Sequence, residues 1–232
     1  MTQKKNIRKW PSLAGRLLLI LLICLADIIW ASRLIYHWQE TGTMIPSKNG
    51  AAAFPTAISQ QLILAAVPIL LIVIGLAVFK NRFAQELAFT VFGKQQWMIV
   101  FILIGVLLCE TAAALIVKKN AGSVLYGLLY YTVFIAFTEE FVARGICGRL
   151  LKEENIWLRY LWPNCLFAAM HFFAYADWKE ITADYALHFF TGSFLGLMAG
   201  GCVFQFLKEK TGTLWTPILI HAALDFGNVF SW

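Results

Sequence analysis

The chain has 232 residues, 60% of them apolar and 14% charged, and its mean hydropathy is +0.70. That balance excludes a water-soluble domain of this size and points to a protein dissolved in lipid. The formal net charge of +6 does not indicate nucleic acid, because the basic residues are spread through short loops and no basic patch interleaves with aromatics.

About seven hydrophobic runs, each near the ~20 residues needed to cross a bilayer, follow one another. They cover 17–36, 57–79, 97–117, 124–146, 160–177, 184–206 and 214–231, with room for an eighth, weakly marked span. The first has a basic lead-in like a signal peptide, but it outruns a typical apolar leader core and lacks a small-residue cleavage site, so we expect it to be retained. Spans of this length are helices, since a helix satisfies its own backbone in lipid. The expected fold is therefore all-α, a multi-pass transmembrane helical bundle. We divide it into N-terminal transmembrane helices over 1–120 and a helical core over 121–232, integrated as one membrane domain.

Loop charges set the expected topology. Lys4, Lys5, Arg8, Lys9, Arg16, Lys80, Arg82, Lys94, Arg149, Lys152, Arg159, Lys208 and Lys210 fall on one side, against Lys48, Lys118, Lys119 and Lys179 on the other. The positive-inside rule then places the N-terminus in the cytoplasm and, after an odd number of spans, the C-terminus outside. The polar connection 39–56, with TGTMIPSKNG, is expected on the non-cytoplasmic side. Cys24, Cys109, Cys147, Cys165 and Cys202 stand singly, without a C-x-x-C pair, and read as small apolar packing residues.

Ionisable groups inside the spans are costly in hydrocarbon and mark functional candidates. In the first run Asp27 and Arg33 do not share a face well, and Arg33 is expected to snorkel outward. Glu110 reads as one half of an interhelical hydrogen bond. The fourth run ends in FTEEFVARG, residues 137–145. Glu140 and Arg144 are four apart on one face and can pair, whereas Glu139 is turned by about 100°. The plainer alternative is that both glutamates mark a helix end and Arg144 snorkels. FAAMH places Phe167 and His171 on one face, and HAALD does the same for His221 and Asp225. An Asp beside a buried His fixes its tautomer, as in metal sites and acid-base sites, although a lone transmembrane His is more often a packing residue. Gly192, Gly196, Gly200 and Gly201 form small-xxx-small spacings that we read as a helix-packing face. His188 falls near the opposite membrane surface and is set aside.

Counting from helix ends puts Glu139 and His221 each roughly 10 Å deep and His171, on a helix begun near Tyr160 with Pro163 in its first turn, roughly 16 Å deep. A carboxylate and two histidines on separate helices can activate water. Glu139 would take the proton, while His171, His221 and Asp225 orient the water and stabilise the oxyanion, or else hold a zinc ion that does both. That chemistry suits amide hydrolysis.

EEFVARG, FAAMH and HAALD, in this order, resemble the EExxxR, FxxxH and HxxxN/D motifs of the CPBP family of intramembrane proteases, which comprises CAAX prenyl endopeptidase homologues and bacteriocin-processing or immunity proteins. TGTLWTPILIHAALD and HFFTGSFLGLMAGG are similar to the family's last core helix and the glycine-rich helix before it. The resemblance runs from about Tyr131 to the C-terminus. It implies that Glu139 is the water-activating base, supported by Glu140 and Arg144. It also implies that His171, His221 and Asp225 bind the water, the oxyanion or a metal. Ala143 departs from a position often aromatic in the family, and Asp225 stands where many members have Asn. The implied substrate is a membrane-associated peptide or protein cut near the cytoplasmic face of a bacterial cell membrane. The rival is a non-proteolytic scaffold or bacteriocin-immunity protein of the same fold. A proton-coupled transporter gains no support from paired repeats or interrupted helices.

Overall fold

The structure, a computed structural model, describes residues 11–91, 93–175 and 181–232. Lys4, Lys5, Arg8, Lys9 and Lys179 of the charge count lie outside the described residues. Every regular element among the described residues is helical. Helix α1 (Leu13–Glu40) starts at Ser12, whose hydroxyl accepts from the Gly15 amide at 3.2 Å, and stops where Gly42 takes a positive φ of 67°. The second apolar run is not one helix. It divides into α2 (Phe54–Leu64) and α3 (Ala66–Phe79) around Ala65, because Pro68 has no amide to offer the carbonyl of residue 64. Short turns carry α3 on to Glu86.

Helix α4 (Lys94–Lys118) ends at Lys119 in the left-handed conformation, and Asn120 then caps the next helix by accepting from the Ser123 amide at 3.1 Å. Helix α5 (Ala121–Leu150) is irregular, with wide π turns over Tyr130–Phe137 and Phe141–Cys147 on either side of Thr138–Glu140. The Thr138 hydroxyl donates back to the carbonyls of Phe134 and Ile135, at 2.7 and 3.1 Å, supplying a donor where the i→i−4 ladder is interrupted. Helix α6 (Ile156–Tyr175) begins earlier than expected, so Pro163 lies in its interior rather than its first turn. Helices α7 (Ala183–Thr211) and α8 (Trp215–Phe226) complete the bundle.

Five runs among the described residues are long and apolar enough to cross a membrane: Leu13–Glu40, Ala66–Glu86, Lys94–Lys118, Ala121–Leu150 and Ala183–Thr211. This is a multi-pass membrane protein. The remaining expected runs are also helical, but α8 has only 12 residues and at 1.5 Å per residue falls short of a bilayer's thickness. Outward faces carry exposed Leu22, Ile29, Leu70, Val73, Phe101, Ile116 and Leu195, as expected for helices that meet lipid. The interior holds the polar groups instead: Gln60, Thr111, Glu140, Arg144, Asn164, Gln205 and Thr216 are buried. Lipid gives apolar side chains no reason to leave it, so hydrogen bonds and close packing hold such a bundle together.

Helix α7 packs on α6, α8 on the wide-turn stretch of α5 and on α4, and α1 on α6. The glycine face of α7 corrects the packing expectation. A Cβ at Gly192, Gly196 or Gly200 would meet nothing within 4 Å, and only Gly201 is in tight contact.

Candidate active site

Glu139 and Glu140 leave α5 in different directions, as a rotation of about 100° per residue requires. Glu140 is fully buried, and its Oε1 accepts from Arg144 Nη1 at 3.1 Å. Arg144, 1% exposed, is held through both of its terminal nitrogens. Its Nη2 donates to Asn164 Oδ1 at 2.8 Å, and its guanidinium lies 4.6 Å from the Phe167 ring centre and 5.7 Å from that of Phe204. Such cation–π contacts contribute about 0.5–2 kcal/mol each. Asn164 in turn donates to the Tyr160 carbonyl at 2.7 Å, and the Lys208 ammonium donates to the Arg144 carbonyl. A side chain at Gly201 would come within 2.5 Å of Asn164 Oδ1 and 2.6 Å of Arg144 Nη2, so only glycine lets α7 approach this pair.

Glu139 is partly open, its side chain 29% exposed. Its Oε2 lies 3.8 Å from His171 Nε2 and 3.8 Å from His221 Nε2, and has no hydrogen-bond partner among the described residues. Depth counted from helix ends put Glu139 and His221 at one level and His171 somewhat deeper; the structure sets both histidines against one carboxylate oxygen. Such counting measures height only for upright helices with known ends.

The histidines are oriented differently. His171 Nδ1 is 2.8 Å from the Phe167 carbonyl of its own helix. A carbonyl only accepts, so Nδ1 carries a proton and Nε2 is the ring nitrogen turned towards Glu139. His221 Nδ1 is 3.0 Å from Glu140 Oε1, while Nε2 is 3.3 Å from Asp225 Oδ2. We expected Asp225 to fix the His221 tautomer from behind. Glu140 occupies that place instead, and Asp225 stands on the same side as Glu139. Each ring nitrogen of His221 thus has a carboxylate acceptor, an arrangement that suits an imidazolium, and the ring stacks on Phe204 at 5.3 Å.

These groups surround a cavity of about 400 Å³ lined by Tyr130, Glu139, His171, Gly200, His221 and Asp225, among others. Behind it, Glu139, Phe167 and His171 also form the wall of a smaller cavity of about 160 Å³, to which α1 contributes Cys24 and Asp27. Sequence reasoning passed over Asn164, Phe204 and Tyr130, counted Lys208 only as a loop charge, and weighed Asp27 only against Arg33. Asn164 left a signal, being a polar residue seven before His171 and so on nearly the same helix face. For a zinc ion the fit is poor, because no three His, Cys, Asp or Glu side chains among the described residues are disposed to hold a metal. His171, His221 and Asp225 therefore do not form a three-ligand set in this arrangement.

No curated protein and no solved structure matches the chain. Residues 121–227 match the family model described as type II CAAX prenyl endopeptidase Rce1-like. This segment carries every motif residue of the site, while Cys24, Asp27, Ile28 and Ala31 of α1 and Asn228 lie outside it. Residues 121–227 are thus similar to the Rce1-like type II CAAX prenyl endopeptidases, a likeness consistent with the CPBP proteases that the three motifs resemble.

Proposed function

We propose that this chain is an intramembrane endopeptidase in which Glu139 activates water to hydrolyse a peptide bond of a membrane-associated peptide or protein near the cytoplasmic face. The chemistry is assigned to the core, residues 121–232, with the helices of 1–120 completing the wall behind it. The observation that carries this reading is the placement of Glu139 Oε2, partnerless and 3.8 Å from both His171 Nε2 and His221 Nε2, at the edge of a cavity. Those separations are too long for direct hydrogen bonds and suit a water held between the three groups. The count of basic loop residues supports the cytoplasmic placement.

In the mechanism, neutral His171 accepts a hydrogen bond from the water through Nε2, and Glu139 takes its proton as the oxygen adds to the scissile carbonyl carbon. The imidazolium of His221 keeps its Nδ1–H on Glu140 and turns its Nε2–H from Asp225 to the oxyanion. Collapse of the tetrahedral species breaks the C–N bond, and the proton on Glu139 passes to the leaving nitrogen, which restores the carboxylate. Arg144 pairs with Glu140 and keeps its Oε1 aimed at His221. No step is routed through a metal.

Quenched fluorescent peptides ending in a CAAX sequence, with and without a prenyl group on the cysteine, test the reading and the lipid requirement together. The wild type is expected to cleave at least one probe, and Glu139→Gln to lose cleavage by about 10²–10⁴-fold while remaining in the membrane. A Glu139→Gln protein as active as wild type would overturn the assignment. A biological phenotype that survives loss of both Glu139 and His221 would favour the non-proteolytic scaffold or immunity role.

A further inference from the structure

Tyr130 lines the cavity with Glu139, His171, His221 and Asp225, yet belongs to none of the three motifs. It precedes Glu139 by nine residues. At about 100° per residue, a regular helix would turn two residues with this spacing to opposite faces. The i→i+5 turns over Tyr130–Phe137 rotate less per residue, and the accumulated lag brings both side chains to one cavity.

The ring is fixed from two sides. Tyr126 stacks on it at 6.0 Å and 20°, and Tyr131 meets it edge-on at 5.0 Å and 76°. Its hydroxyl makes no hydrogen bond among the described residues, whereas those of Tyr160 and Tyr185 bond to Glu209 and to the Phe172 carbonyl. Phenols in sheltered positions normally find a partner. This one belongs to the wall that also carries Glu139, His171, His221 and Asp225, and the rest of that wall is largely apolar, with Ile135, Phe167, Leu197 and Phe204.

We infer that Tyr130 is a further catalytic residue of the hydrolysis proposed above, its phenolic O–H donating a hydrogen bond to the carbonyl oxygen of the scissile amide. The inference rests on that reading of the site. The bond strengthens as the oxygen becomes an oxyanion, which gives the transition state a second donor beside His221. Tyr130 neither gains nor loses a proton, because the water's proton travels through Glu139 to the leaving nitrogen.

The test uses the full chain in lipid nanodiscs and the same quenched CAAX peptides. Tyr130→Phe keeps the ring and its stacking, and is expected to lower kcat by about 10²–10³-fold with KM changed less than about threefold. Tyr36→Phe, on α1, 42% exposed and away from the cavity, serves as the control and should stay within about threefold of wild type. If Glu139→Gln is inactive and Tyr130→Phe keeps its full kcat, the role of Tyr130 falls while the hydrolytic reading stands. If the wild type cleaves neither probe, or Glu139→Gln cleaves normally, the hydrolytic reading falls and takes Tyr130 with it. Should Tyr130→Phe fail to fold, 3,5-difluorotyrosine at position 130 replaces it. Its more acidic phenol should move the alkaline limb of the kcat profile to lower pH, and an unmoved limb would overturn the inference.

Discussion

The surroundings of Glu139 and Glu140 differ as sharply as two regions of one site can. Around Glu140 the helices are closed: its carboxylate meets Arg144 and His221, Arg144 meets Asn164 and two aromatic faces, and α7 is admitted only by Gly201. Around Glu139 they are open, with a cavity on each side and the side chain 29% exposed. Each glutamate has an Oε2 without a hydrogen-bond partner among the described residues, so an unbonded oxygen alone does not mark the reactive group. Exposure and the Arg144 ion pair distinguish them. A carboxylate with a committed cation holds its neighbours in place, and one left facing a cavity is available to a substrate.

Breaking the comparison should give separable phenotypes. The largest effect belongs to Glu139→Gln, with cleavage down about 10²–10⁴-fold and an unfolding midpoint close to wild type. Glu140→Gln should do the reverse in kind. It strands the guanidinium of Arg144 in the interior, costs about 3–5 kcal/mol of stability, and lowers activity only as far as His221 loses its orientation, as chemical denaturation in detergent would report. Gly201→Ala is expected to cost about 1–3 kcal/mol by forcing Arg144 and Asn164 apart, although residue 201 carries no functional group. Smallest is demetallation, which should leave activity within about twofold. Loss of activity that zinc restores would instead reassign His171, His221 and Asp225 as ligands.

Much of this contrast is legible in the sequence. Helical rotation alone separates Glu139 from the Glu140–Arg144 pair, and i,i+4 spacing finds His171 with Phe167 and His221 with Asp225. What one helix contributes to another is not legible. No periodicity indicates that Glu140 rather than Asp225 meets Nδ1 of His221, or that Phe204 and Asn164 close on Arg144, because those contacts depend on the angles at which α5, α6, α7 and α8 cross. The glycines of α7 show the same limit. Their spacing suggests packing, but of Gly192, Gly196, Gly200 and Gly201 only the last is pressed by neighbours. The break at Ala65 had a local sign in Pro68, whereas the wide turns of α5 had none, since the residues from Tyr130 to Phe137 would suit a regular helix equally well.

Those wide turns make the length of α5 as consequential as its composition. Removing one residue between Val133 and Ala136 would preserve hydrophobicity, every motif and the ability to form a helix, and by local criteria would even improve it. Yet a tightened helix would counter-rotate the whole segment ahead of Glu139, carrying the aromatic ladder of Tyr126 and Tyr130 and the turn at Lys119 out of register with α8. Within this helix, single-residue insertions and deletions should therefore be purged as strictly as substitutions of the acids themselves.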